Sequence, residues 1–382
     1  MSSIPLSLYV HLPWCVRKCP YCDFNSYSSG DSAPKERYLK ALFSDIEAEV
    51  AHAQGRELVS VFMGGGTPSL FTPDEIGRVL DSVAQNFSLA ADIEITMEAN
   101  PGTIECGDPG AYRAAGVNRL SIGAQSFSKS SLALLGRIHS VDDISRSMQE
   151  ASAAGFNSIN LDLMYGLPRQ GVDEALVDIE LALALQPQHI SWYQLTMEPN
   201  TVFYTRPPEG MPDEERLADI QDAGQAMLST QGFRQYEVSA WSREGEQCRH
   251  NLNYWSFGDY LAVGAGAHGK VTDSEGVHRY TKPANPLSYM QAMQSQQPQP
   301  LPQALGESEL LFEFMLNALR LRDGFDESLF EQRTGLPADR LADAAAAATE
   351  RGLIELSGAR RWQPTALGRR FLNDLQAEFL PN

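Results

Sequence analysis

The sequence predicts an α/β chain: a partial (β/α)6 TIM-like barrel, then a small α+β segment, then a C-terminal winged-helix-like domain. Three observations carry that prediction. Between residue 6 and about residue 196, short apolar runs alternate with longer amphipathic ones. A polar or glycine-rich motif closes each of the first five apolar runs. Beyond Pro199 both patterns stop, and after a Gln/Pro-rich stretch a short, mostly helical unit follows.

Taken in order, the apolar runs place strands at 6–11, 59–63, 93–98, 120–123, 158–164 and 189–195. Helical periodicity lies between them near 34–53, 73–87, 142–154 and 173–185. Six such units make an open, partial barrel, and barrels of this kind gather their chemistry where the strands end. The motifs obey that rule. A cysteine loop follows the first strand, GGGTPS the second, EANPG the third and GAQSF the fourth, and Asp162 lies near the end of the fifth.

The loop HLPWCVRKCPYCDF brings Cys15, Cys19 and Cys22 within reach of one small metal cluster. Iron–sulfur clusters are held by cysteine thiolates, usually four. Here there are three: Phe24 occupies the obvious fourth position, and Cys106 and Cys248 lie far away in sequence. One iron would thus be open to an outside ligand. A structural zinc site and free core cysteines are the alternatives on the residues alone, although zinc favours four closed ligands.

The three glycines at 64–66 mark either a tight turn or the close approach of a ligand. Glu98 and Asp162 are carboxylates at apolar strand ends, each either hydrogen-bonded to a ligand or paired with a fixed cation such as Arg119 or Arg137.

After the barrel, residues 213–230 read as an amphipathic helix and FRQYEVSAW as a strand. Residues 248–270 then crowd His250, Asn251, Asn253, Tyr254 and Trp255, a mixture suited to a large planar ligand or a partner. A lone histidine beside aromatic rings is more often structural than a ligand. Gly264, Gly266 and Gly269 satisfy G-x-G-x-x-G, but a hairpin turning at Glu275-Gly276 follows where a dinucleotide site needs a helix. The glycines are read instead as admitting close backbone approach to a ligand such as a flat ring.

Residues 294–303 read as a semi-extended linker. Beyond it, helices at 307–321, 329–334 and 339–351, two short strands and a final helix resemble a winged helix. The expected units are therefore 1–210, 211–300 and 301–382. Arg360, Arg361, Arg369 and Arg370 form the one basic cluster.

The totals constrain function further. Of 382 residues, 30 are Lys or Arg against 49 Asp or Glu, a net charge of -19 that argues against nucleic acid and against a winged-helix regulator. Five cysteines, three of them clustered, point to a reducing compartment and so to the cytoplasm. No leader and no membrane span are expected.

Taken together, YVHLPWCVRKCPYCDF, GGGTPSL, MEANPG, NRLSIGAQSF, NLDLMYGLP and HNLNYW resemble the oxygen-independent coproporphyrinogen III oxidase family of radical S-adenosylmethionine (SAM) proteins, over essentially the whole chain. Within it the chain is most similar to the heme chaperone branch. The oxidases carry a further cysteine where Phe24 stands, and residues 250–255 match the H-N-x-x-Y-W motif of the chaperones.

The resemblance implies a [4Fe-4S] cluster on Cys15, Cys19 and Cys22, and a first SAM against Tyr9, Gly65 and Glu98. It implies second-SAM positions at Tyr21, Gly66, Thr67, Gln125, Arg137 and Asp162, in a cavity that in a chaperone would hold heme, with His250 in contact with it. The expected function is a heme chaperone that binds cluster, SAM and heme and delivers heme to acceptor hemoproteins, membrane respiratory ones among them, with a homodimer as a further expectation and no catalytic residue assigned. The alternative is oxidative decarboxylation of coproporphyrinogen III to protoporphyrinogen IX.

Overall fold

A computed structural model describes residues 4–29, 33–102, 108–294 and 301–381. The six expected strands are β1 (Leu6–Leu12), β2 (Leu58–Gly65), β3 (Leu89–Ala99), β4 (Arg119–Gln125), β5 (Ile159–Tyr165) and β6 (His189–Gln194). They pair in parallel and in sequence order. Helices cover the outer face, and β1 alternates accordingly, with Leu6, Leu8, Val10 and Leu12 fully buried and Ser7, Tyr9 and His11 between them. Each such aliphatic side chain contributes about 1.5–3 kcal/mol by leaving water.

The helix Pro73–Asn86 shows how locally the units are specified. Thr72 accepts from the Glu75 amide at 3.2 Å, and the Glu75 carboxylate accepts from the Thr72 amide at 2.8 Å. Pro73 follows in the first turn.

The first four strands all run longer than the apolar runs suggest, β3 and β4 for visible reasons. β3 starts at Leu89 because its first half is half-exposed, so only its second half reads as core. β4 runs past residue 123 through an irregularity in its pairing with β5, and Gln125 there has φ 68.

The segment after the barrel does not form a separate layer. FRQYEVSAW is two strands, β7 (Arg234–Glu237) and β8 (Ala240–Ser242), and β8 joins β6 antiparallel. At the opposite edge β9 (Asp259–Val263) pairs in parallel with β1, followed by the hairpin β10 (His268–Thr272) and β11 (Val277–Thr281). The described residues thus form one open, eleven-stranded sheet in the order β11-β10-β9-β1-β2-β3-β4-β5-β6-β8-β7.

The C-terminal unit carries β12 (Phe325–Asp326), β13 (Ile354–Leu356) and β14 (Arg361–Pro364), in the order β12-β14-β13, with helices Glu307–Ala318, Glu327–Thr334 and Ala338–Glu350. This is the winged-helix-like arrangement. Phe314 meets Phe325 and Phe330 edge-to-face at 5.0 and 5.1 Å, and Phe257 of the barrel region at 5.5 Å, which docks the unit on the sheet. Most of the expected linker, 295–300, and Cys106 lie outside the described residues. Among the described residues no helix is long and apolar enough to cross a membrane.

Candidate functional site

A cavity of about 540 Å³ opens at the C-terminal ends of the parallel strands, within the range usual for small-molecule sites. Cys15, Cys19 and Cys22 line it, together with Tyr21, Gly65, Gly66, Thr67, Glu98, Gln125, Arg137 and Asp162.

The cysteine loop is held by the backbone of its neighbours. Trp14–Cys15 pairs with Tyr27–Ser28, and the Gly66 and Thr67 amides donate to the Leu12 and Trp14 carbonyls at 2.8 and 2.7 Å. A Cβ on Gly66 would stand 2.6 Å from the Trp14 carbonyl oxygen, so this position admits no side chain. The glycine run is therefore needed first for the approach of the cysteine loop, while Gly65 and Gly66 still face the cavity.

Beside β9, the neighbour of β1, Asn25 donates to the Ala265 and Ala284 carbonyls at 2.9 and 2.8 Å. A Cβ on Gly266 would meet the Asn25 amide at 2.3 Å. The G-x-G segment thus makes room for the cysteine loop; neither it nor His268 lines the cavity, which corrects the expectation that these glycines admit a ligand.

The thiols fit a cluster with one open iron. Burial pushes the Cys15 and Cys22 thiols up, and neighbouring cysteines add to it, so three thiolates here call for a compensating cation. The Arg137 guanidinium lies 3.7 Å from the Cys19 sulfur. Among the described residues no group of three ligand side chains is arranged to hold a single metal ion. Phe24 is 59% exposed and brings no donor. Cys248 is fully buried away from the cavity, 3.5 Å from a Glu94 oxygen.

Glu98 and Asp162 lack the ion pairs that the sequence left open. Arg119 approaches Glu94 at 4.0 Å, and Arg137 donates to Asn100 and to the Gly123 carbonyl at 2.9 Å. Asp162 accepts from Ser121 at 2.9 Å and from Asn160 at 2.8 Å, and burial raises its pKa. Glu98 is pushed up to about 8 by burial and then by the Asp162 charge, against the pull of the Gly65 amide at 3.2 Å. Two acids therefore face the cavity with no ion pair to either among the described residues, although the Arg119 charge still pulls the Asp162 carboxyl down. Gln125, held by the Tyr193 hydroxyl at 2.7 Å, completes this wall.

Tyr9 and His250 are not in the cavity lining. Tyr9 sits on β1 with its hydroxyl 3.0 Å from His11 Nδ1. His250 is 3% exposed; its Nδ1 meets Ser60 Oγ at 3.0 Å and its ring stacks on Phe62 at 5.0 Å. Burial, then the Arg119 charge, lower its pKa to about 3, so the ring is neutral, and its Nε2 has no partner among the described residues.

Helical spacing explains the split. In the helix Arg249–Trp255, His250 and Asn253 are buried, Asn253 donating to Ser7 Oγ at 2.9 Å and to the Asp259 carbonyl at 2.8 Å. Asn251 and Trp255, one turn apart, share the face that lines the cavity.

The sequence reading missed Tyr193, Ser191 and Glu237, which also line the cavity. For Ser191 and Tyr193 the signal available was the strand-end rule, applied to five strands and not to the sixth; Glu237, on β7, carried no such signal.

Two family models match: the radical SAM superfamily over residues 9–182 and the HemN C-terminal domain over residues 305–371. The heme chaperone HemW of Escherichia coli K12 is 47% identical over 98% of both chains. The chain belongs to the HemW family of heme chaperones, within the radical SAM superfamily. HemW of Mycobacterium tuberculosis H37Rv is 36% identical over 94% of this chain and 91% of its own. Among solved structures, Escherichia coli coproporphyrinogen III oxidase (HemN), a radical SAM enzyme, superposes with a TM-score of 0.82 at 26% identity, covering 99% of this chain and 90% of that one. The radical SAM family implies a [4Fe-4S] cluster and SAM.

Proposed function

We propose that this chain is a cytoplasmic heme carrier that holds a [4Fe-4S] cluster on Cys15, Cys19 and Cys22, binds SAM beside it, and passes heme to acceptor hemoproteins. The observation that carries the reading is the cavity itself. Three thiols, with no fourth among the described residues, share it with Glu98 and Asp162, two acids that make no ion pair among the described residues.

When bound, the cluster supplies one-electron reducing power to SAM. The chain's own residues bind and orient. Asp162, and Glu98 once the approaching cation draws off its proton, offer negative charge to the ammonium and sulfonium of SAM, with Tyr9 supporting the floor behind Gly65. Tyr21, Gly66, Thr67, Gln125 and Arg137 line the remaining volume, which a second SAM or the heme takes. Asn251 and Trp255 present a polar group and an indole face to the planar cargo, and His250 lies directly behind them as the candidate contact to heme.

Residues 1–210 form the cofactor barrel in this scheme, 211–300 close it, and 301–382 dock the acceptor. Acceptors include membrane hemoproteins, and a homodimer is the proposed assembly.

The likeness to HemN favours a second reading, oxidative decarboxylation of coproporphyrinogen III in the same cavity. Anaerobic cluster reconstitution followed by addition of SAM with either heme or coproporphyrinogen III separates the two. Stoichiometric heme uptake without decarboxylated product supports the carrier; multiple turnovers to protoporphyrinogen IX overturn it.

A further inference from the structure

A second cavity, of about 310 Å³, lies between the barrel and the C-terminal unit. Arg320, Arg322, Arg369 and Arg370 line it. The basic cluster visible in the sequence is thus divided by the fold. Arg360 and Arg361 are taken by Glu327 and Asp326, whereas Arg369 and Arg370 join two arginines from the turn after helix Glu307–Ala318.

Four guanidiniums face two carboxylates there, Asp222 and Glu237, on a chain whose net charge is -19. Glu237 is already engaged by Arg320 at 3.0 Å. Arg369 donates to the Pro364 carbonyl at 2.6 Å, and burial, then the charge of Arg322, lower its pKa. Arg322 and Arg370 are exposed, and neither side chain has a hydrogen-bond or ion-pair partner among the described residues. Clustered, unpaired guanidiniums repel one another unless an anion sits between them.

The wall between this cavity and the first is thin. Glu237 lines both. The Arg320 guanidinium lies 4.3 Å over the ring of Trp255, which lines the first. Arg320 Nε and Trp255 Nε1 are both buried without a partner among the described residues. A ligand with an apolar plane and carboxylates at one edge would set the plane against Trp255 and the carboxylates among the arginines.

Resting on the carrier reading above, we infer that the arginine-lined cavity receives the propionate carboxylates of the porphyrin cargo, with Arg322 and Arg370 as direct partners and Arg320 at the boundary of the two cavities. Guanidinium and carboxylate match in paired, charge-assisted hydrogen bonds. The strongly negative chain disfavours a dianionic ligand elsewhere, so this cavity also sets the orientation in which heme enters.

The test uses the full-length, cluster-reconstituted protein titrated with heme and with heme dimethyl ester, whose carboxylates are masked. The wild type should bind heme at least about ten-fold more tightly than the ester, the effect of losing roughly one charged hydrogen bond. An Arg322→Gln/Arg370→Gln protein should bind both ligands as the wild type binds the ester, with iron content and melting temperature unchanged. Equal affinity of the wild type for heme and ester, or a preference that survives the double substitution, overturns the inference. A wild type that takes up neither ligand overturns the carrier reading itself and this assignment with it.

Discussion

The Gly65 amide donates to the Glu98 carboxylate at 3.2 Å, tying the end of β2 to the end of β3 at the cavity. That single amide is outweighed by burial and by the Asp162 charge, so Glu98 keeps its proton up to about pH 8. An unfolded Glu98 would lose it near the ordinary glutamate value of 4.5. The folded state therefore binds more protons in that window, and stability falls as pH rises from about 5 to 8. In the ligand-free protein, Glu98→Gln should remove about 1–2 kcal/mol of that loss, a partial share because the side chain faces an open cavity. Urea denaturation at pH 5.5 and pH 8.5 checks it; an unchanged pH dependence would refute the assignment.

SAM carries positive charge, so its binding to the wild type should tighten as pH rises through 8, when Glu98 ionises. Calorimetric titration of Glu98→Gln should show weaker binding with a flatter pH profile. Equal affinity at every pH would remove Glu98 from the SAM contacts.

Gly66→Ala should displace the cysteine loop, because its Cβ would meet backbone oxygens of Trp14 and Leu12 at 2.6 and 2.7 Å. The expected cost is about 1–3 kcal/mol, with iron content after reconstitution at less than half of wild type. Gly358→Ala, where nothing lies within 4 Å, is the control. Full iron content in Gly66→Ala would show that the loop moves freely.

Cys15→Ala, Cys19→Ala and Cys22→Ala should each abolish the brown absorbance of the reconstituted protein, and Cys248→Ser should retain it, since Cys248 is sealed beside Glu94. Colour retained in any of the three, or lost in Cys248→Ser, would mean that the thiolate set is different.

His250→Ala leaves Ser60 without its imidazole partner and opens space against Phe62, which should lower stability by about 1–3 kcal/mol. Heme uptake should weaken while iron content stays. His250→Asn, which can keep a hydrogen bond to Ser60, separates the roles: restored stability with restored heme uptake would make His250 a purely structural residue.

Much of this molecule was open to reading along the chain. Strand periodicity, helix caps and the habit of parallel strands to present polar residues at their ends are short-range properties, so β1 to β6 and the motifs after them could be placed from residue order. The thiol spacing belongs to one loop, and its likeness to radical SAM proteins needed no contact to be known.

Other features depend on residues that meet only after the chain has closed on itself. Asn25 finds Ala265, β9 finds β1, and Glu237 finds Arg320, each pair separated by tens to hundreds of residues, and no local pattern encodes such partners. That is why the G-x-G glycines proved to be a seat for the cysteine loop, why His250 turned inward while Asn251 and Trp255 faced the cavity, and why one basic cluster divided into a half paired with carboxylates and a half without them among the described residues. Composition and spacing settle which chemistry the chain carries. Packing, through burial and charge pairing at a distance, settles which side chains are free to use it.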